Sequence, residues 1–372
     1  MIKQLYVHNY RCLENFELNA NEINSVLFIG KNGTGKSTIL AVVEIFQKIC
    51  QGMNRLRDLE KLDLLGIKDF ARGRSDVPIR FELNVKIKDK DFSYRLDLEL
   101  PENFRELKVL KESLFRNGQP IYTRQEAQIT LVNNQEIETK FGLDWHLVAL
   151  PIIQARSEAD PIAVFRNWLA RIIFLDPIPM LMTGESKGES LEPQKDGSNF
   201  GDWFTGLLSQ YPAAYKVIDN YLRKVLTDIQ DFRNELIGKE SKNMIVRFSK
   251  NSSTLNIDFA HLSDGEKCFF ICAAVLAANE FYGPLICLWD EPDNYLSLPE
   301  IGHFLETLRR AFKDNSQIFV TSHHPETIRR FSEDNTFLLE RKSHLEPTRM
   351  RLIRDLEIEK DLIETLILDD IE

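Results

Sequence analysis

Long apolar runs are what this chain most plainly lacks. Nowhere do its 372 residues approach the ~20 consecutive apolar side chains that a membrane-spanning helix needs. The opening MIKQLYVHNYRCL also has no basic-then-apolar leader pattern. A cytoplasmic location without membrane contact is the expectation. Cysteine is scarce as well: Cys12, Cys50, Cys268, Cys272 and Cys287 all lie in apolar stretches with no metal-ligand spacing to nearby histidines. Reduced core thiols are expected, since Cys268 and Cys272, one helical turn apart, give two soft ligands without a third. Internal repeats and sustained heptads are missing, which excludes solenoids and long coiled coils. No Lys/Arg run is present and the formal charge is -10, which argues against non-specific coating of nucleic acid and leaves only a local basic surface for such contact. The remaining composition is ordinary for a soluble globular protein, and the length gives room for two or more compact units.

What is present starts with GKNGTGKST, Gly30 to Thr38, set between the apolar run Val26-Leu27-Phe28-Ile29 and the helix-forming ILAVVEIFQKIC. It fits G-x-x-x-x-G-K-[ST], the phosphate-binding loop, in the strand-then-helix context the motif requires. Its glycines let the backbone curl around an anion, so the N–H groups of Asn32, Gly33, Thr34, Gly35, Lys36, Ser37 and Thr38 point at a triphosphate. The helix N-terminus adds its positive dipole end, Lys36 a full charge near the β- and γ-phosphates, and Ser37 a ligand for Mg²⁺. Kinases, GTPases, motors and transport ATPases share this loop, so the rest of the chain has to say which chemistry it serves.

Residues 2 to 7 alternate like a strand and a second strand is expected around Phe16 to Leu18. Between them stands His8-Asn9-Tyr10-Arg11. If those strands flank Val26 to Ile29, Arg11 lies near the phosphate loop, and two readings stay open for it: contact with phosphate or base, or a surface arginine. After the loop a helix runs from 36 to about 54, and a second is expected over Arg55 to Lys68. Residues 79 to 87 and 92 to 100 then alternate around Asp89-Lys90-Asp91 as an antiparallel hairpin. Further strands are expected at Leu107 to Arg116 and near Gln128 to Val132. The pattern returns to helix from Trp145, ending in the apolar strand Arg171 to Leu175. The stretch TGESKGESLEPQKDGS, 183–198, has the composition of a mobile loop. Residues 200 to 238 read as two or three helices, and 243 to 249 with 254 to 259 as another hairpin.

Ser263-Asp264-Gly265-Glu266 opens an apolar helix as a capping box, and a serine followed by glycine at a helix N-terminus is also a ready anion site. The strand Leu285 to Trp289 ends in Asp290-Glu291. A carboxylate there suits the Mg²⁺ shell, so Asp290 is the candidate metal ligand. Glu291, on the other side of the chain, is the candidate to hold or deprotonate the attacking water. The strand Gln317 to Thr321 ends in Ser322-His323-His324, and His323 is the candidate sensor of the γ-phosphate.

In this order the phosphate loop, LSDGEK, LWDEPDNYL and TSHHPET resemble an ABC-type ATPase head of the SMC, RecF and OLD group, among AAA-family ATPases. The opening IKQLYVHNYRCLENFEL resembles the start of the same group, and the likeness is good over 1–54 and 255–340. It implies an α/β P-loop head with a mixed or parallel core sheet, an antiparallel β lobe and an inserted helical subdomain. The divisions expected are 1–144, 145–242 and 243–372. It further implies ATP and Mg²⁺ as ligands, hydrolysis of ATP to ADP and phosphate, and a head-to-tail homodimer in which Ser263 and Gly265 complete the partner's site. A head without coiled coil or nuclease domain implies a separate effector, a nuclease or toxin, in bacterial defence against phage. The alternatives are a repair ATPase acting on DNA ends and the ATPase subunit of a membrane transporter. Two positions depart from the group's pattern. Ser297 stands where a histidine is usual, and no glutamine marks the sensor loop, for which Asp176 is a weak substitute. Arg349, Arg351 and Arg354 read as a small basic face or a solvated helix.

Overall fold

The computed structural model describes residues 1–132, 138–238 and 240–356; the end of the expected C-terminal division, 357–372, lies outside them. In chain order the strands are β1 (Ile2–His8), β2 (Phe16–Asn19), β3 (Ser25–Ile29), β4 (Ile79–Ile87), β5 (Lys90–Glu99), β6 (Lys108–Arg116), β7 (Gln119–Gln125), β8 (Gln128–Val132), β9 (Glu138–Gly142), β10 (Ile173–Leu175), β11 (Glu185–Ser186), β12 (Ile229–Ile237), β13 (Ser241–Lys250), β14 (Ser253–Asp258), β15 (Ile286–Trp289), β16 (Gln317–Thr321), β17 (Thr336–Glu340) and β18 (Arg349–Leu352). The helices are α1 (Lys36–Cys50), α2 (Leu56–Lys61), α3 (Pro161–Ala170), α4 (Phe200–Gln210), α5 (Ala214–Val225), α6 (Asp264–Phe281), α7 (Leu298–Ala311) and α8 (Pro325–Arg330). They group into two compact units.

The first unit comprises Met1–Ile23, Ile29–Ile172 and Phe337–Leu352. Its main sheet is antiparallel throughout, in the order β2-β1-β4-β5-β6-β7-β8-β9. Strand β4 shows why: Ile79, Phe81, Leu83, Val85 and Ile87 are buried and alternate with polar residues, and β5 returns in register from Ile79↔Leu98 to Ile87↔Lys90. Helix α1 packs on the buried face, with Phe46 edge-on to Phe81 and Tyr94 at 6.1 and 5.6 Å between centroids. Each such side chain removed from water contributes ~1.5–3 kcal/mol, so the helix behind the phosphate loop has a firm backing. At the sheet centre the fully buried Glu112 accepts from the Tyr94 and Tyr122 hydroxyls and from the Ala149 and Leu150 amides.

Among the described residues, the second unit holds Asn24–Phe28, Ile173–Thr336 and Ile353–Leu356. Its core is a parallel sheet in the order β10-β15-β16-β3. Both faces are covered, so the strands are continuous apolar runs and every residue of β10, β15 and β16 is buried. Helix α6 is apolar all round and buried from Lys267 to Ala278. A second sheet, β11-β13-β12 with β14 on β13, packs aromatically with α4 and α6: Phe232 meets Phe204 at 5.5 Å and Phe270 at 6.0 Å.

Several local expectations change. Strands β1 and β2 do not flank β3; they pair with each other, and β1 pairs with β4. The third helix expected before residue 238 is strand β12, and the helix expected from Trp145 is confined to α3. Arg55 to Lys68 holds only the short α2 and a 3-10 turn at Ile67–Asp69. Residues 183–198 carry β11, and Asp202 accepts from the Lys187 and Gly188 amides, both at 2.9 Å. Arg349 and Arg351 lie on β18 rather than on a solvated helix, Arg351 pairs with Glu340 at 2.6 Å, and Arg354 pairs with Asp334 at 3.1 Å. All five cysteines are free thiols. Burial pushes the Cys268 thiol up to about 12, and those of Cys50, Cys272 and Cys287 further in the same direction.

Candidate active site

In the first unit, the phosphate loop leaves β3 and turns into α1 through three glycines in the left-handed half of backbone space, Gly30, Gly33 and Gly35, with φ of 143, 79 and 100°. A Cβ at Gly30 would stand 2.2 Å from the Leu339 carbonyl oxygen, and one at Gly35 would stand 2.7 Å from Cys12 Sγ. The loop is thus held between the turn after β1 and the β17–β18 hairpin. Thr348 Oγ1 donates to the Thr34 carbonyl at 2.7 Å, and Thr34 Oγ1 donates to the Lys31 carbonyl at 2.8 Å. Gly35 caps α1 without any side-chain oxygen on the leading amides, the arrangement that suits an anion. Lys36 is 6% exposed, and its ammonium donates to the Gly30 and Lys31 carbonyls at 2.7 and 3.3 Å. Thr34 and Gly35 are buried, whereas Asn32, Gly33 and Ser37 are exposed and Thr38 half-buried.

These contacts separate two glycines that look alike in the sequence. Gly30→Ala is expected to cost about 2–4 kcal/mol, because a methyl group meets backbone that cannot move aside. Gly33→Ala, where nothing lies within 4 Å, should cost only ~1–2 kcal/mol for its positive φ. Urea denaturation of the two variants checks the order.

Arg11 (φ 49°) donates to Asp69 Oδ1 at 2.8 Å and to the Asp63 carbonyl at 2.6 Å. Its guanidinium is therefore neither a free surface group nor turned to open solvent. Next to it, Cys12 places the turn against Gly35.

In the second unit, β15 ends at Trp289 and the chain turns through Asp290 and Glu291. The Asp290 amide donates to the Leu175 carbonyl at 2.8 Å, and the Thr321 hydroxyl donates to Asp290 Oδ1. Thr321 Oγ1 in turn accepts from the Glu291 amide at 3.0 Å. Glu291 adopts φ 45°, a conformation a side-chain-bearing residue keeps only when its surroundings enforce it. Its carboxylate lies 3.2 Å from His323 Nδ1 and accepts from Asn294 Nδ2 at 2.8 Å. The Ser322 amide donates to the Phe28 carbonyl at 3.1 Å, which fixes the end of β16 to β3. His324 spends Nδ1 on the Glu326 amide at the start of α8. Asp176 follows β10, where burial and the neighbouring Asp290 raise its carboxyl above the usual range.

Ser263 caps α6 as expected. Its Oγ accepts from the Glu266 amide at 3.3 Å, while Glu266 Oε2 accepts from the Ser263 amide and hydroxyl at 2.8 and 2.7 Å. A Cβ at Gly265 would stand 3.0 Å from the Tyr295 carbonyl oxygen, so this helix start abuts the turn after the acid pair. Ser297 has a structural reason of its own: with Glu300 it forms the capping box that starts α7. The structure brings Asp290, Glu291 and His323 together in one unit and places Thr321 among them. Thr321 was legible only as the residue before Ser322-His323.

The fold is that of an SMC-type ATPase head. Three solved SMC heads share the fold. One is the SMC head domain from Thermotoga maritima, at 12% identity, covering 94% of this chain and 98% of that one, with a TM-score of 0.50. Another is an SMC head bound to the C-terminal winged-helix domain of ScpA, at 15% identity, 95% and 98% coverage and a TM-score of 0.56. The third is an SMC head with an extended coiled coil bound to the C-terminal domain of ScpA, from Pyrococcus furiosus, at 12% identity, 99% and 98% coverage and a TM-score of 0.55. No curated protein matches the chain. Residues 25–329 match the model of the family described as "AAA domain, putative AbiEii toxin, Type IV TA system", and the chain belongs to that family. Among the described residues no helix is long and apolar enough to cross a membrane.

Proposed function

We propose that this protein binds ATP with Mg²⁺ at the phosphate loop and hydrolyses it to ADP and phosphate. One observation carries the reading: the strand that runs into the phosphate loop, the strand that ends in Asp290-Glu291 and the strand that ends at His323 are parallel, in the order β15-β16-β3. Ligands of open parallel sheets bind beyond the carboxyl ends of the strands. Lys36 and the amides of Asn32 to Thr38 would hold the phosphates. The hydroxyl of Ser37 and the carboxylate of Asp290 are hard oxygen donors of the kind Mg²⁺ takes, and bound Mg²⁺ would neutralise charge on the β- and γ-phosphate oxygens. Glu291 would orient a water and accept its proton as the water attacks the γ-phosphorus. With Nδ1 of His323 at Glu291, Nε2 is the nitrogen that would serve the γ-phosphate. Arg11 contributes by fixing the turn that seats Cys12 against Gly35. Phosphate release that requires Mg²⁺ and stops on chelation is the expected assay result; no release would overturn the reading.

Two protomers would close head to tail on ATP, with the start of α6 at Ser263 and Gly265 completing the partner's site. Supporting this, Ser263 is exposed at the N-terminus of a buried helix, an end that favours anions. ATP binding and hydrolysis would then switch a separate effector, a nuclease or toxin, in anti-phage defence, in keeping with a family description that speaks of a toxin. A cytoplasmic site of action fits this role. Ser263→Arg titrated into the parent protein is expected to pull turnover below simple dilution, because one arginine keeps a mixed pair from closing and so silences both of its sites. Turnover that falls only in proportion to dilution would exclude a pair that closes on both sites as one unit.

A further inference from the structure

We propose that Asp293 is a positioning residue for the reaction: its carboxylate locks the turn carrying Glu291 to the strand end carrying His323, so that the two side chains act as one unit. The inference rests on the hydrolytic reading above and adds a residue to it.

The turn after β15 and the end of β16 are joined rung by rung. The Thr321 hydroxyl binds Asp290, the Ser322 hydroxyl binds Asp293, and His323 Nδ1 meets Glu291. The rungs differ in how well water reaches them. The side chains of His323 and Glu291 are 58% and 27% exposed, so their pairing is screened and cannot by itself hold a geometry. Asp293 is 4% exposed, and Ser322 is wholly buried. A hydroxyl-to-carboxylate bond away from water is among the stronger and better directed contacts in a protein. The same oxygen, Oδ2, also accepts from the hydroxyl of Thr327 on α8, and Ser322 Oγ accepts from the His324 amide at 2.9 Å. Residues on both sides of His323 are therefore tied to one carboxylate. In the turn after β15 the residue that needs holding is Glu291, whose φ of 45° would relax if the turn came loose. Asp293 touches neither a phosphate site nor the attacking water in this scheme; its effect passes through Glu291 and His323.

The test compares Asp293→Ala and Asp293→Asn in the full chain. Asparagine keeps the shape and one acceptor, and a serine or threonine hydroxyl can rotate to accept from its amide. Asp293→Ala is expected to lower kcat for ATP about 100-fold, the scale of a misplacement near 1 Å, with ATP affinity within about twofold of the parent. Asp293→Asn should recover a large part of kcat. An unchanged kcat in Asp293→Ala, or an Asn variant no better than Ala with kcat, affinity and Tm falling together, would overturn the proposal.

A second measurement does not need turnover. In the parent, Glu291→Gln should shift the imidazole NMR signals of His323, and in the Asp293→Ala background the same substitution should leave them unmoved. An equal shift in both backgrounds would show that the lock is not needed. Absence of ATP hydrolysis in the parent protein would strike the hydrolytic reading instead, and the NMR comparison would still report on Asp293. If Asp293→Ala does not fold, Ser322→Ala, which removes the hydroxyl of the lock and leaves Asp293 on Thr327, carries both measurements with the same expected losses.

Discussion

Lys36→Ala is expected to abolish ATP binding, weakening it at least ~100-fold, since each lost hydrogen bond to a charged oxygen costs about 1.5–3 kcal/mol and lysine reaches two phosphates. The structure makes the result easy to interpret. The Lys36 ammonium already sits inside the loop, on the Gly30 and Lys31 carbonyls, so ATP binding only has to redirect a charge that is in place. Removing that charge relieves the cost of burying it while unpairing those carbonyls, two effects of opposite sign on stability. Tm should therefore move by only a few degrees while calorimetric titration with ATP shows no saturation. Titration with parent affinity would remove the phosphate loop from the proposed site.

Glu291→Gln separates binding from chemistry. Glutamine fits the space of glutamate, can accept from Asn294 Nδ2, and can donate to His323 if the ring presents a bare Nδ1. The unusual backbone at Glu291 should survive the change. What disappears is a group able to take a proton, so hydrolysis should fall by ~10²–10⁴ with ATP affinity within a few-fold of the parent. ATP that cannot be consumed should accumulate the closed pair. Light scattering should then report twice the monomer mass with ATP and Mg²⁺, and the monomer mass with ADP. Hydrolysis at the parent rate would reassign the base, and a monomer under ATP would separate turnover from dimerisation.

The parts of the fold that were legible in the sequence are those whose pattern is set locally. Strand β8 falls on Gln128–Val132 as expected, and β4 and β5 announce themselves by strict alternation. Strand β12 did not. Only Ile229 and Phe232 of it are buried, and a register shift between Ile229 and Asp231 breaks the period of two, leaving apolar residues three apart, the spacing of a helix. Prolines at 151 and 161 interrupt the apolar region after Trp145, yet its composition alone still reads as helix. The hairpin β1–β2 was visible, but which sheet it joins depends on β4, some seventy residues on, and no local pattern encodes that. The same holds for the site. Asp290, Glu291 and His323 stand at strand ends with recognisable neighbours. Arg11 keeps two readings in the sequence because its partner, Asp69, is 58 residues away, and no local pattern marks Asp293, since a carboxylate in a turn is ordinarily a solvated one.

The seat of the phosphate loop also bears on synthesis. Thr34 takes its hydrogen bond from Thr348, 314 residues further along, and Gly30 lies against Leu339. A ribosome that has just finished α1 has made the glycines and the lysine but not the wall they rest on. Firm seating of the loop should therefore arise only once the β17–β18 hairpin has been made, and fragments cut short before that hairpin should hold the loop loosely.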